Sequence, residues 1–259
     1  MTQETTQELS RDGIVIQARS GSTRMPAKIL LPFSGEKRII DIVIENIKRE
    51  CPGKRIVLAT TVNPADDILE EVAAQHQISC FRGSEENVLQ RFIGAADKFG
   101  LDRIIRVCSD NPFLDAASFN TLFDAQTESG ADYVCFAFPD GRPTIKSHLG
   151  LFAELATTEA LKKAAAMTDE KLYLEHVTIF LYTHPDLFSI CRIPLPEFLR
   201  NRTDLRLTLD TTSDFKLLNE LFARLQGESD HSLKRLIEMV DENPEYGKIM
   251  KTNIMQNEK

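Results

Sequence analysis

Short apolar runs rich in β-branched residues recur along the first half of the chain, each followed by a polar loop and an amphipathic stretch. "GIVIQA" (13–18), "KRIVLATT" (54–61), "ISCF" (78–81), "DRIIRVCS" (102–109) and "DYVCFAF" (132–138) have the length and composition of buried strands. Between them, "RIIDIVIENIKRE" (38–50) places Ile39, Ile40, Ile42, Val43, Ile44 and Ile47 in a broad helical stripe. Asn63-Pro64 opens a second helix as N-cap and first residue. Ser84 is read as the cap of a third, which ends at Gly100. Asp115 is read as the cap of a fourth, closed by Gly130. Such βαβα alternation predicts an α/β fold of three layers, α/β/α, around a mostly parallel, Rossmann-like sheet.

Residues 1–12 read as a frayed polar tail, with neither the basic start nor the apolar core of a signal peptide. Residues 13–259 read as a single domain. Within it, 139–202 is a less regular insertion, in which "TTEALKKAAAM" and "KLYLEHVTIFLY" look helical. "RLTLD" (206–210) reads as one more strand, with Ser213 competing to cap the helix after it. No run approaches the roughly 18 apolar residues of a membrane span. The five cysteines are scattered without a CxxC pair, which suits reduced thiols in a cytoplasm.

Net charge is 31 − 39 = −8, which argues against a general nucleic-acid binder. Against that background "QARSGSTRMPAKIL" (17–30) gathers Arg19, Arg24 and Lys28 directly after the first strand. Guanidinium forks and a compact ammonium suit phosphate, and Gly21 permits close backbone approach or positive φ. The segment is neither a Walker A loop nor a GxGxxG turn, and a solvated basic loop is the plainer alternative. Asp110, in "CSDNP", can hold Mg²⁺ at a strand end or simply open a turn before proline. Asp210 can ligate metal or cap a helix. His176, in "LEHVT", would flank Tyr173 and Phe180 at helical spacing, as a partly buried, satisfied histidine does. In open α/β sheets ligands gather beyond the carboxyl ends of the strands, where the cationic loop, Asp110 and Asp210 all fall.

"RSGSTRMPAKIL" resembles the RxGSxRxPxK signature that opens bacterial sugar cytidylyltransferases, closest to the spore-coat polysaccharide type. CMP-3-deoxy-manno-octulosonate synthetases and acylneuraminate cytidylyltransferases are relatives of that type. The resemblance runs on in order through "VLATTVNPADD", "FRGSEENVLQRF", "RVCSDNPFLD", "GADYV", "EHVT" and "RLTLDTTSDF". It implies the nucleotide-diphospho-sugar transferase type of sheet and transfer of CMP from CTP to a sugar acid or related acceptor, with pyrophosphate released. It further implies nucleotide binding by Gln17, Arg19, Ser20, Gly21, Ser22, Arg24, Lys28 and Arg91, with Arg19, Lys28 and Asp110 catalytic. Asp110 and Asp210 would hold Mg²⁺, while Asp140 and His176 would face the acceptor. Glu85 and Asn87 would border the cleft beside Arg91. A homodimer formed through 139–202, in the cytoplasm, is the implied assembly.

Three positions depart from the family pattern. Ala27 and Ser109 stand where glycine is usual, and "PDGRPTIKSHLG" (139–150) replaces "PDGxDVE" without its acidic pair. The nucleotide half is intact, and the acceptor half has diverged. A glycosyltransferase acting on a nucleotide sugar is a rival reading, although the chain lacks a DxD pair after a strand. A non-catalytic relative is another, favoured by the altered 139–150 segment.

Overall fold

The structure is a computed structural model that describes residues 11–21 and 25–257. Ile14, Val15 and Ile16 are fully buried in strand β1 (Asp12–Gln17), alternating between the two faces of a sheet. A short hairpin follows, β2 (Pro32–Ser34) and β3 (Lys37–Arg38), and leads into α1 (Ile39–Glu50). Then come β4 (Arg55–Thr61), α2 (Asp67–Gln75), β5 (Ser79–Gly83), α3 (Val88–Phe99), β6 (Arg103–Cys108) and α4 (Phe119–Ser129). The chain continues through β7 (Tyr133–Ala137), β8 (Glu154–Thr157), α5 (Thr158–Met167), α6 (Lys171–Glu175), α7 (Ile179–Thr183) and β9 (Ile190–Pro194). It closes with α8 (Thr212–Gln226), α9 (Leu233–Glu242) and α10 (Pro244–Gln256).

Seven strands form one sheet in the order β5-β4-β1-β6-β8-β7-β9. All are parallel except β8, which is antiparallel to both β6 and β7. Ile14, Ile16, Ile105 and Val107 pack on one face against α1, α2, α4 and α8–α10. Val15, Val57, Ala59 and Ile104 pack on the other against α3, α5 and α7. Each fully buried residue of this kind contributes roughly 1.5–3 kcal/mol relative to exposure. The result is the three-layer α/β/α arrangement expected.

Several local readings need correction. Asp12, assigned to the tail, opens β1, where Arg103 and Lys54 bind its carboxylate; burial opposes ionisation there, but these two cations hold the group below the ordinary aspartate value. Residues 1–10 lie outside the described residues. Residues 206–210 join no ladder. Leu207 N–H donates instead to the His148 carbonyl and Leu209 N–H to the Asp110 carbonyl, so the segment is tied to loops. "KLYLEHVTIFLY" is two helices rather than one. Thr178 turns its hydroxyl inward to Glu154 at 2.7 Å and breaks the run between α6 and α7. The helix caps also shift: Asn87, not Ser84, caps α3, and Thr211, not Ser213, caps α8 in a reciprocal pair with Asp214. The 139–202 region is integral to the sheet, since it supplies β8 and β9.

Candidate active site

The carboxyl ends of β1, β4, β5, β6, β7 and β9 share one edge of the sheet, and the polar groups singled out above collect along much of it. Three segments far apart in sequence meet at the Lys28 ammonium. It hydrogen-bonds Asp110 Oδ2 at 2.6 Å, donates to the Leu209 carbonyl, and lies 3.6 Å from Asp210 Oδ1. Lys28 and Asp210 are largely buried and Asp110 half-buried, so water screens these charges less than on an open surface. The loop that delivers Lys28 closes through Ala27 N–H donating to the Ser20 carbonyl at 2.9 Å.

Ala27 itself takes a left-handed conformation, φ 55° and ψ 21°. The conformation that Gly21 was expected to permit is thus adopted by Ala27; Gly21 itself is not at positive φ. An alanine there costs about 1–2 kcal/mol. The turn delivers Lys28 to the carboxylates, and tertiary contacts hold it in spite of that strain.

Asp66, which the sequence did not single out, anchors the start of the loop. It accepts the Ser20 amide and hydroxyl, both at 2.6 Å, together with the Thr61 hydroxyl. Its burial disfavours the charge, yet these donors and the nearby Arg91 hold the carboxyl below the ordinary aspartate value. Asn63 accepts from Ala65 N–H and donates to Glu85 at 3.1 Å, joining the loops after β4 and β5.

Arg91 is 1% exposed and gives one hydrogen bond, from Nη1 to the Ser84 carbonyl at 2.8 Å. Among the described residues its Nε and Nη2 have no partner. Burial, then repulsion from Arg19, pushes its pKa down to about 10, so it stays charged at neutral pH. Each unsatisfied buried donor costs roughly 1–3 kcal/mol. An acceptor-bearing ligand entering beside the β1 loop would offset that cost. Arg19 is exposed nearby, while Ser22 and Arg24 lie outside the described residues.

Gln17 is held from below. Its Oε1 accepts from Arg106 Nη2 at 3.2 Å, and Arg106 Nη1 also donates to Glu154 at 2.6 Å. Glu154 further accepts from Tyr133 and Thr178, so this buried ion pair is shared among β6, β7, β8 and the start of α7. Asp210 is held by Arg206, whose Nη2 lies 3.2 Å from its Oδ2. Neither support had a signal in the sequence beyond the i, i+4 spacing of Arg206, Asp210 and Asp214.

The two residues expected to face the acceptor lie on other loops. Asp140 is exposed in the turn after β7 and accepts from Arg142 N–H at 2.9 Å. His176 is exposed at the break between α6 and α7, not half-buried as its spacing suggested. Among the described residues no group of three or more His, Cys, Asp or Glu could hold a metal. The donor set that exists is two carboxylates of hard oxygens on one cation, which suits Mg²⁺ when phosphate oxygens complete its shell. The groove of about 1210 Å³ between α1, the 112–117 loop and α8–α9 contains none of these residues.

No helix among the described residues is long and apolar enough to cross a membrane. Residues 14–252 match the family model described as cytidylyltransferase. The chain is 32% identical over 238 residues to the spore coat polysaccharide biosynthesis protein SpsF of Bacillus subtilis, covering 89% of this chain and 94% of that one. It is 34% identical over 242 residues to an uncharacterised protein of Methanocaldococcus jannaschii, covering 93% and 95%. A cytidylyltransferase structure from Leptospira borgpetersenii superposes with a TM-score of 0.79 at 29% identity, over 92% of this chain and 96% of that one. A CMP-2-keto-3-deoxy-manno-octonic acid synthetase solved with CTP shares the fold, with a TM-score of 0.63 at 16% identity over 83% and 99% of the chains. The protein is an enzyme, and it belongs to the cytidylyltransferase family.

Proposed function

We propose that the protein transfers CMP from CTP to an anionic sugar, in a Mg²⁺-dependent reaction that releases pyrophosphate. The observation that carries this reading is the meeting of Lys28 with Asp110 and Asp210 at the carboxyl edge of the sheet. A triphosphate needs cations, and a hydroxyl attacking phosphorus needs a fixed partner; this cluster offers both kinds of group. An acceptor oxygen would attack the α-phosphate, the new P–O bond forming as the bond to the β-phosphate oxygen breaks and pyrophosphate leaves. Positioning and charge neutralisation dominate such displacements.

Lys28, Arg19 and Arg24 would bind the β- and γ-phosphate oxygens, with backbone amides around Gly21 and Ser22 assisting. Ser20 would hold the loop in place through Asp66. The unpartnered edge of Arg91 would take an acceptor atom of the nucleotide. Asp110 and Asp210 would hold Mg²⁺, which neutralises polyphosphate charge when bound. For Lys28, binding means exchanging carboxylate partners for phosphate ones.

On the acceptor side, a cavity of about 350 Å³ lies at the carboxyl ends of β7 and β9, lined by Phe138, Pro139, Arg192 and Arg200. Arg192 and Arg200 each donate to one backbone carbonyl and have no acidic partner among the described residues. That favours a carboxylate-bearing sugar, with Asp140 and His176 at its margins. A homodimer through 139–202, working in the cytoplasm, belongs to the same proposal. The experiment is a pyrophosphate-release screen crossing four nucleoside triphosphates with 2-keto sugar acids and neutral sugars, with and without Mg²⁺. Release restricted to CTP, Mg²⁺ and an acidic sugar is expected. Release dependent on another nucleotide, or with no acceptor preference, would contradict the proposal.

A further inference from the structure

Arg206 is completely buried and spends its guanidinium on three residues, two of them on the turn into α8 and one from the 139–150 segment. Nε and Nη2 grip Asp214 at 2.7 and 2.8 Å, Nη2 also reaches Asp210 Oδ2 at 3.2 Å, and Nη1 lies 2.6 Å from His148 Nδ1. A guanidinium has donors only and stays protonated. The 2.6 Å contact therefore requires His148 Nδ1 to accept, which makes the imidazole neutral with its proton on Nε2. Asp214 is fixed independently by the amides of Asp210 and Thr211 and by Asn253. His148 thus satisfies the Nη1 edge that Asp214 leaves over; without it Nη1 is a buried donor with no acceptor, and the guanidinium is free to shift from the position in which its Nη2 meets Asp210. Oδ2 turns to Arg206, and Oδ1 turns to Lys28.

The segment that carries His148 is seated tightly on the segment that carries Asp210. The His148 carbonyl accepts from Leu207 N–H at 2.9 Å. Gly150, at φ +64°, approaches so closely that a Cβ would stand 2.9 Å from Thr208 Cγ2 and 3.0 Å from the Leu207 backbone. His148 also belongs to "PDGRPTIKSHLG", the stretch in which the chain departs from its family pattern.

We infer that His148 is a positioning residue for the metal carboxylate: through Arg206 it orients Asp210, and thereby sets the Mg²⁺ dependence of nucleotide binding. The inference rests on the proposed function for its readout. Partners that orient a metal-binding carboxylate typically change metal affinity 10–100-fold when removed. Asparagine can place its Oδ1 where Nδ1 accepts, whereas alanine and leucine cannot.

The test is calorimetric titration of CTP at a series of MgCl₂ concentrations, with folding checked by thermal unfolding. Nitrogen NMR of the unliganded wild type supplies a second readout, the His148 tautomer. Expected are a neutral Nε2–H imidazole, and at least a ten-fold rise in half-saturating Mg²⁺ for His148→Ala and His148→Leu. Metal-free CTP affinity should stay within two-fold, and His148→Asn within three-fold of wild type throughout. An unchanged Mg²⁺ response in the folded alanine or leucine variant would overturn the inference. So would an asparagine variant with at least a ten-fold rise, or an Nδ1–H or doubly protonated ring. If neither apolar variant folds, the asparagine variant and the tautomer decide. Wild type that binds no CTP at any Mg²⁺ concentration overturns the functional proposal and this inference together. A wild-type Mg²⁺ response insensitive to His148 overturns the inference alone.

Discussion

The two flanks of the cleft are built by different means. On the β1–β6 flank three of the candidate groups are buttressed by an ionic or hydrogen-bonded partner: Ser20 by Asp66, Gln17 by Arg106, Lys28 by two carboxylates. On the β7–β9 flank Asp140, Arg192 and Arg200 are exposed and lean mainly on backbone groups of the surrounding loops, with a 3.6 Å contact from Arg142 to Asp140 besides. A triphosphate presents the same charges in every reaction cycle and rewards a preorganised cradle. An exposed subsite whose side chains lean on loop backbone can change them without disturbing the sheet. The difference would let the exposed turn at 139–142 vary while the nucleotide side is kept.

The contrast is open to attack where the flanks join. Glu154 accepts from Arg106 under β1, from Tyr133 on β7 and from Thr178 at the start of α7. Glu154→Gln leaves Arg106 buried without its counter-ion and should cost about 3–5 kcal/mol. The midpoint of urea unfolding would show it, and a loss below about 1 kcal/mol would mean the flanks are not bound together through this pair.

Asp66→Asn addresses the anchored loop alone. Two charge-assisted hydrogen bonds from Ser20 become neutral ones, so a loss of about 2 kcal/mol at pH 7 is expected. The folded Asp66 carboxyl titrates below its unfolded value. Its contribution is therefore complete above the unfolded pKa and disappears as pH falls through the folded one. The stability gap between wild type and Asp66→Asn should narrow as pH drops from about 4 toward 2. A gap constant with pH would dissociate the anchoring from the charge.

Ala27→Gly has the smallest expected effect and the opposite sign. Relief of about 1–2 kcal/mol of left-handed strain is partly offset by the freedom glycine gains in the unfolded chain. The net gain should be about 0.5–1 kcal/mol, or roughly 1–3 °C in Tm. A lower Tm would show that the turn is not strained at alanine.

Much of this organisation was legible because it rests on local pattern. The β1 run, the stripe of α1 and the Gly100 and Gly130 helix ends are properties of neighbouring residues. The meeting of Lys28 and Asp110 followed from strand polarity, since parallel strands deliver their carboxyl ends to one edge, whereas Asp210 reaches them on a segment tied to the Asp110 and His148 carbonyls. What stayed hidden depends on residues paired only in space. "ELAT" is too short, and too charged at Glu154, to read as a central antiparallel strand until Arg106 is seen opposite it. Residues 206–210 alternate like a strand, but their partners are loop carbonyls of His148 and Asp110. Arg91 was expected at the nucleotide through the family resemblance alone, with no physical signal in its helix. Only its burial beside Arg19 and Asp66 makes it a donor in need of a ligand.

The central claim is that Lys28 is the phosphate-binding cation of a CTP site, parked between two carboxylates in the unliganded protein. Calorimetric titration of CTP in Mg²⁺ into wild type and Lys28→Ala, independent of any acceptor, tests it most directly. Losing a charge-assisted contact of this kind should weaken binding on the order of 10–100-fold. CTP affinity of a folded Lys28→Ala within three-fold of wild type would contradict the account.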